Sequence, residues 1–215
     1  MSEAEIITGA RAFLRANLTG TIGFDEEFIP IKLVVAPDGA LVAPVMVAML
    51  RALDVVVFLP EEDDAAMQLQ VTLEEIEDKG EHAALCDRWR IYHGEPEDVR
   101  WARFSIDAAK FDGRMFDGLA LMEPNPLAEA EARICRRVNA EMRELLKQAC
   151  LRTAEVEIED PRLVGVDPLG FDVRGRFDVV RLDADPEIVD EADAFAALEE
   201  LATGGEDAPD APPAG

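Results

Sequence analysis

Between Arg88 and Arg103 the chain places both of its tryptophans, its only tyrosine, one of its two histidines and four arginines. Guanidinium groups beside aromatic planes can hold a planar anionic ligand such as a flavin phosphate or a haem propionate. They also pack on one another, because Arg over Trp is a common surface arrangement and an acidic chain offers many counter-charges. Both readings are open at the level of sequence. His93 stands before Gly94 at the end of a predicted helix. It suits an iron ligand, an acid–base group or a last-turn partner for free carbonyls. Lys32, between Ile31 and Leu33 on an alternating strand, faces away from its neighbours, towards solvent or a dimer cleft. The candidate cofactor-binding set is therefore Lys32, Arg88, Trp89, Arg90, Tyr92, His93, Trp101 and Arg103.

No catalytic or metal-binding set can be named. There is no nucleotide-binding glycine loop, nucleophile elbow or paired metal-binding histidine motif. His82 has no identifiable partner. The acidic run Glu61-Glu62-Asp63-Asp64 lacks the spacing and central glycine of a calcium loop and reads as a solvated turn. The doubled Phe-Asp-Gly of residues 111–118 reads as two tight turns closing a strand, or as backbone shaped to approach a ligand. Cys86, Cys135 and Cys150 form no C-x-x-C pair, and they read as small buried thiols in a reducing compartment.

These residues need elements to position them. Ile6, Ala10, Phe13, Leu14 and Leu18 recur at helical spacing behind Ser2, a candidate N-cap. The period then falls to two. Strands are predicted at 19–24, 28–36, 40–49, 54–59, 67–76 and 99–111, with Pro37-Asp38-Gly39 as a hairpin turn and a short helix at 81–92. Polar outer faces favour antiparallel pairing, and six short strands with tight turns suggest a small barrel. From Leu127 to Ala149 apolar residues step by three and four, predicting one helix of more than six turns. A hairpin around Asp167-Pro168-Leu169-Gly170 and a terminal helix at 188–201 follow. The expected fold class is α+β: an antiparallel split barrel over 1–122, a smaller helix–hairpin–helix domain over 123–202, and a disordered acidic, Pro-rich tail over 203–215.

The chain has 215 residues, 49% hydrophobic, enough to bury a core without disulfide or metal staples. It carries 46 acids against 21 basic residues, a formal charge of −25. That field excludes a general affinity for nucleic acid or for an anionic membrane surface. No secretory signal and no spanning segment are visible, so the expected location is the cytoplasm.

The order of elements, with Arg137-Val138-Asn139-Ala140-Glu141 and the stretch Val164-Gly165-Val166-Asp167-Pro168-Leu169-Gly170-Phe171-Asp172-Val173-Arg174, resembles a known family. It is that of the pyridoxamine-phosphate-oxidase-like FMN-binding split barrels, in the subset with the small C-terminal domain of HugZ-type haem-utilisation proteins. The resemblance implies a homodimer that binds FMN, or in some members haem, in clefts between subunits, and a first hypothesis of redox activity follows from such a cofactor. The chain departs from the family where flavin-binding members carry a Ser- and His-containing phosphate segment, since Pro60-Glu61-Glu62-Asp63-Asp64 stands there. Four acids beside a phosphate repel it unless they point away. The alternative is therefore a cofactor-free binding or regulatory module on the same fold.

Overall fold

The computed structural model describes residues 2–63, 65–96 and 100–204. The chain divides into two compact units, Met1–Asn125 and Pro126–Gly215. Val99, Asp64 and residues 205–215, where a strand start, the end of the acidic run and most of the tail were expected, lie outside the described residues.

The first unit opens with α1 (Glu3–Ala16), started by a capping box in which Ser2 and Glu5 each bond the other's backbone. Its buried stripe is Ile6, Ala10 and Leu14. The strands are β1 (Thr19–Phe24), β2 (Glu27–Lys32), β3 (Val34–Val35), β4 (Leu41–Val45), β5 (Val55–Leu59), β6 (Met67–Ile76), β7 (Arg100–Phe111) and β8 (Arg114–Asp117), with α2 (Ala83–His93) between β6 and β7. Every ladder is antiparallel, in the order β2-β1-β5-β6-β7-β4-β3, and β8 pairs with β7. The two ends of that path are successive parts of one extended segment, separated only by Leu33. Residues 27–32 pair with β1 and residues 34–35 with β4, which curls the sheet into a barrel. Closure of this kind leaves no long sheet edge open.

Alternation supplies the barrel core. Ile22, Leu33, Leu41, Val57, Leu59, Met67, Leu69 and Phe104 are fully or almost fully buried. The register of β6 against β7 shifts between Gln70 and Val71, a bulge of the kind that bends a long strand. The two Phe-Asp-Gly copies behave differently. Asp112 and Gly113 both take positive φ and turn β7 into β8. Gly118 is no tight turn. It starts a short 3-10 helix capped by Asp117, and a Cβ on it would lie 2.1 Å from the Ile106 carbonyl oxygen.

The second unit contains α3 (Ala128–Glu141), α4 (Arg143–Ala154), β9 (Arg162–Asp167), β10 (Gly170–Arg174), β11 (Val179–Asp183) and α5 (Glu191–Thr203). Its sheet is antiparallel in the order β11-β10-β9, and its core includes Ile134, Val138, Leu146, Phe171, Val173 and Leu198. The single helix expected from Leu127 to Ala149 is two helices, parted at Met142. The Asn139 carbonyl, the natural acceptor for the fourth amide ahead, takes a bond from the Arg143 guanidinium at 3.2 Å. The Asn139 side chain meanwhile bonds both the amide and the carbonyl of Leu163, tying α3 to β9. The helix restarts at Arg143 with its buried face moved to Leu146, Ala149 and Cys150.

All three cysteines are free thiols. Burial pushes the Cys86 and Cys150 thiols up to about 11, so neither is an activated nucleophile. No helix among the described residues is long and apolar enough to cross a membrane.

Candidate functional site

Helix α2 lies over the place where residues 27–35 change partners, and one of its faces carries most of the candidate residues. Arg88 donates from Nε to the Val35 carbonyl at 2.8 Å, and Trp89 from Nε1 to the Lys32 carbonyl at 2.8 Å. His93 Nε2 lies 2.9 Å from the Leu33 carbonyl. A carbonyl only accepts, so Nε2 is the protonated ring nitrogen there. Arg88, its neighbour Trp89 and, one helical turn further on, His93 thus reach three carbonyls within the segment 32–35. Each such bond contributes about 0.5–1.5 kcal/mol. Their joint effect is to hold α2 on the barrel.

The aromatic rings add to this seam. Trp89 meets Trp101 edge-on at 5.6 Å and His93 at 4.9 Å. Arg90 lies over Trp101 at 5.0 Å and is bonded to Asp87 and Asp78 at 2.9 and 3.0 Å, with Glu95 at 3.3 Å. Burial works against its charge, but those carboxylates outweigh it and the guanidinium titrates above its ordinary value. Arg88 covers the Tyr92 ring at 5.1 Å and bonds its hydroxyl at 3.0 Å. The structure therefore brings Arg88, Trp89, Arg90, Tyr92, His93 and Trp101 together.

Arg103 and Lys32 are placed differently. Arg103, on β7, pairs with Asp38 of the hairpin turn at 2.7 Å. The Lys32 side chain is exposed and its ammonium has no salt bridge to a described residue, while its own carbonyl serves Trp89. His82 sits in a short 3-10 helix, 4.0 Å from Glu81. No group of three His, Cys, Asp or Glu among the described residues is arranged to hold a metal ion.

A second feature of the barrel was not visible in the residue pattern. On the outer face of β1, β2 and β5, Phe28 and Phe58 flank Gly23, their rings 6.0 Å apart. A Cβ at Gly23 would lie 2.9 Å from the Phe28 ring and 3.3 Å from that of Phe58, so the glycine is what lets both rings lie on the sheet. These rings, with Val56 and Leu53, wall a groove of about 610 Å³. Leu53 is 96% exposed and Phe28 49% exposed. Arg51 also lines the groove and makes no salt bridge to a described residue. Asp25, Glu26 and Asp54 are its acidic members. The one sequence signal was a glycine inside a strand, which marks a close approach.

No family model and no curated protein matches this chain. Among solved structures, the protein Atu2129 of unknown function from Agrobacterium tumefaciens str. C58 matches with a TM-score of 0.71 at 17% identity, over 94% of this chain and 97% of that one. A heme binding protein from Mycobacterium smegmatis matches over 94% of this chain and 97% of its own, at a TM-score of 0.44 and 19% identity. An FAD binding protein from the same organism covers 54% of this chain and 98% of its own, at a TM-score of 0.34 and 17% identity. The likeness to Atu2129 is one of fold: this chain is an α+β protein with a curled antiparallel barrel sheet and a helical part.

Proposed function

We propose that the barrel unit is a split barrel of the pyridoxamine-phosphate-oxidase-like type, and that it binds a planar anionic cofactor at a homodimer cleft. FMN is the first choice and haem the second, and the activity would be that of a cytoplasmic oxidoreductase. The observation that carries this reading is the groove walled by Phe28, Phe58 and Leu53, with Arg51, which makes no salt bridge to a described residue, at its margin. Aromatic rings and an exposed leucine offer a face to a planar ring system, and large exposed apolar surfaces of this kind mark a ligand or a second subunit. Arg51 would hold the anionic group, in a lining that also contains Asp25, Glu26 and Asp54. A bound flavin would supply the electron transfer chemistry; the chain's own part is to bind and orient it and keep water from one face. The members of the Arg–Trp cluster would support this site from behind, by fixing α2 and the strand segment to which Phe28 belongs.

A second reading is a cofactor-free binding or regulatory module. It is favoured by the engagement of Arg88, Trp89 and His93 with backbone carbonyls and of Arg90 with three acids.

The test is an absorption spectrum from 300 to 700 nm of the purified protein, repeated after incubation with FMN and with haemin, beside sedimentation equilibrium. A flavin or Soret band near one per subunit, weakened at least about tenfold in Arg51→Gln and Phe58→Ala, is the expected result. Flat spectra with all additions would overturn the first reading and leave the cofactor-free module. A monomer at micromolar concentration would remove the homodimer cleft.

A further inference from the structure

The chain contains three Asp-Gly pairs, at residues 38–39, 112–113 and 117–118, and no Asn-Gly pair. Such a pair is chemically labile, because glycine has no side chain to keep its amide nitrogen away from the preceding carboxyl. In sequence the three pairs are alike. The fold sets one of them apart.

Two pairs are held in place. The Asp38 carboxylate accepts from the Ala40 amide at 3.2 Å and from Arg103 at 2.7 Å. The Gly39 amide donates to the Ala36 carbonyl at 2.9 Å, and the backbone of Met122 and Glu123 lies against that glycine. Asp117 accepts from the Leu119 amide at 2.9 Å, and Gly118 is buried against the Ile106 carbonyl. These bonds must break before either carboxyl can turn towards the next amide.

Asp112-Gly113 lacks such restraints. Phe111 and Arg114 are ladder partners, so the pair by itself forms the tip between β7 and β8. Both residues are exposed, and a Cβ on Gly113 would meet nothing within 4 Å. The Asp112 carboxylate makes no hydrogen bond or ion pair to a described residue. Exposed tips of this kind are where a folded backbone opens at least cost.

We propose that Asp112-Gly113 is a site of spontaneous backbone modification in the native protein, by conversion of Asp112 to isoaspartate. The Gly113 amide nitrogen attacks Cγ of the neutral Asp112 carboxyl. A C–N bond forms, the carboxyl hydroxyl leaves with the amide proton as water, and a cyclic succinimide closes. Water then opens one of the two ring carbonyls. Opening at Cγ restores aspartate, whereas opening at the main-chain carbonyl leaves the chain running through Cγ with the main-chain carboxylate free. One water leaves and one enters, so mass and oxidation state are unchanged. The product lengthens the link between β7 and β8 by one carbon. None of this depends on a ligand of the barrel.

The test incubates the full chain at neutral pH and 37 °C, digests it with trypsin and compares the fragments with synthetic aspartyl and isoaspartyl peptides. The three pairs fall on separate tryptic peptides, 33–51, 111–114 and 115–133. In the native protein isoaspartate should accumulate at Asp112 at least about tenfold faster than at Asp38 or Asp117. In urea the three rates should draw together. Asp112→Asn suits the same turn, and it should convert faster than the wild type by losing ammonia in place of water. An unchanged melting temperature confirms that this exposed substitution folds. Equal accumulation at the three pairs of the native protein would overturn the proposal, as would an Asp112→Asn chain that stays intact. The same preference for Asp112 in urea would move its cause from the fold to the local sequence, and would overturn it too.

Discussion

The indole N–H of Trp89 donates to the backbone carbonyl of Lys32 at 2.8 Å, joining two residues that the sequence marked for the same ligand. Trp89 is 6% exposed, so the bond is shielded from water and its loss leaves a polar group with reduced access to solvent. Trp89→Phe keeps an aromatic ring beside Trp101 and removes the donor along with the pyrrole part of the indole. It should destabilise the protein by about 1–3 kcal/mol in urea unfolding. An unchanged midpoint would mean that the contact does not anchor α2.

The pairing of Arg103 with Asp38 makes a pH prediction. Burial raises the Asp38 carboxyl, but the Arg103 hydrogen bond, the Ala40 amide and the Arg103 charge outweigh it, holding it below its ordinary 3.8. A carboxyl depressed in the folded state stabilises the fold fully above 3.8, and this contribution is lost as pH falls through the folded value. The stability gap between wild type and Arg103→Gln should therefore be constant from about pH 5 to 7 and should shrink below about pH 4. Parallel acid limbs in the two proteins would refute this.

Arg181 is 5% exposed and bonds Asp167 at 2.6 Å and Asp172 at 3.0 Å, the two acids of the hairpin motif. Asp183 lies 3.6 Å from its Nε, beyond hydrogen-bond reach. Burial disfavours the charge, but the two carboxylates overcome that and hold the guanidinium above its ordinary value. Arg181→Ala leaves two carboxylates facing each other in the interior, at a cost of about 3–5 kcal/mol. Chemical denaturation of the triple change Arg181→Met, Asp167→Asn, Asp172→Asn should show a clearly smaller loss. A larger loss would mean that the charges themselves specify the hairpin.

Two glycines should respond in opposite ways. At Gly118 a methyl group would meet the Ile106 backbone at 2.1 Å, and backbone cannot step aside. At Gly23 it would meet two phenylalanine rings, of which Phe28 is half exposed. Gly118→Ala should cost more than about 3 kcal/mol, while Gly23→Ala should stay within about 1 kcal/mol because the rings can slide and the unfolded chain loses freedom. Thermal melts of both variants decide the matter, and similar losses would show that the outer-face rings are rigidly held.

Much of the fold was legible from short-range pattern. Period-two alternation in Met67-Gln68-Leu69-Gln70-Val71 marks β6, and the capping residue Ser2 marks a helix start that the structure contains. Such signals are local: they depend on which side of an element each residue occupies, and that follows from backbone geometry alone. The break at Met142 was not legible. The apolar stepping continues through it without glycine or proline, and the interruption comes from Asn139 and Arg143 finding partners in β9 and near Asp160. The same limit applied to the candidate site. The sequence by itself determined that arginines and aromatic rings crowd residues 88–103 of a strongly acidic chain. Only the tertiary structure decided that Arg88, Trp89 and His93 turn their donors to strand carbonyls, that Phe28 and Phe58 meet across Gly23, and that Arg162 faces Arg174. Those relationships join residues as far as sixty positions apart, and a donor's choice between a ligand and a carbonyl depends on which of them folding brings within 3 Å.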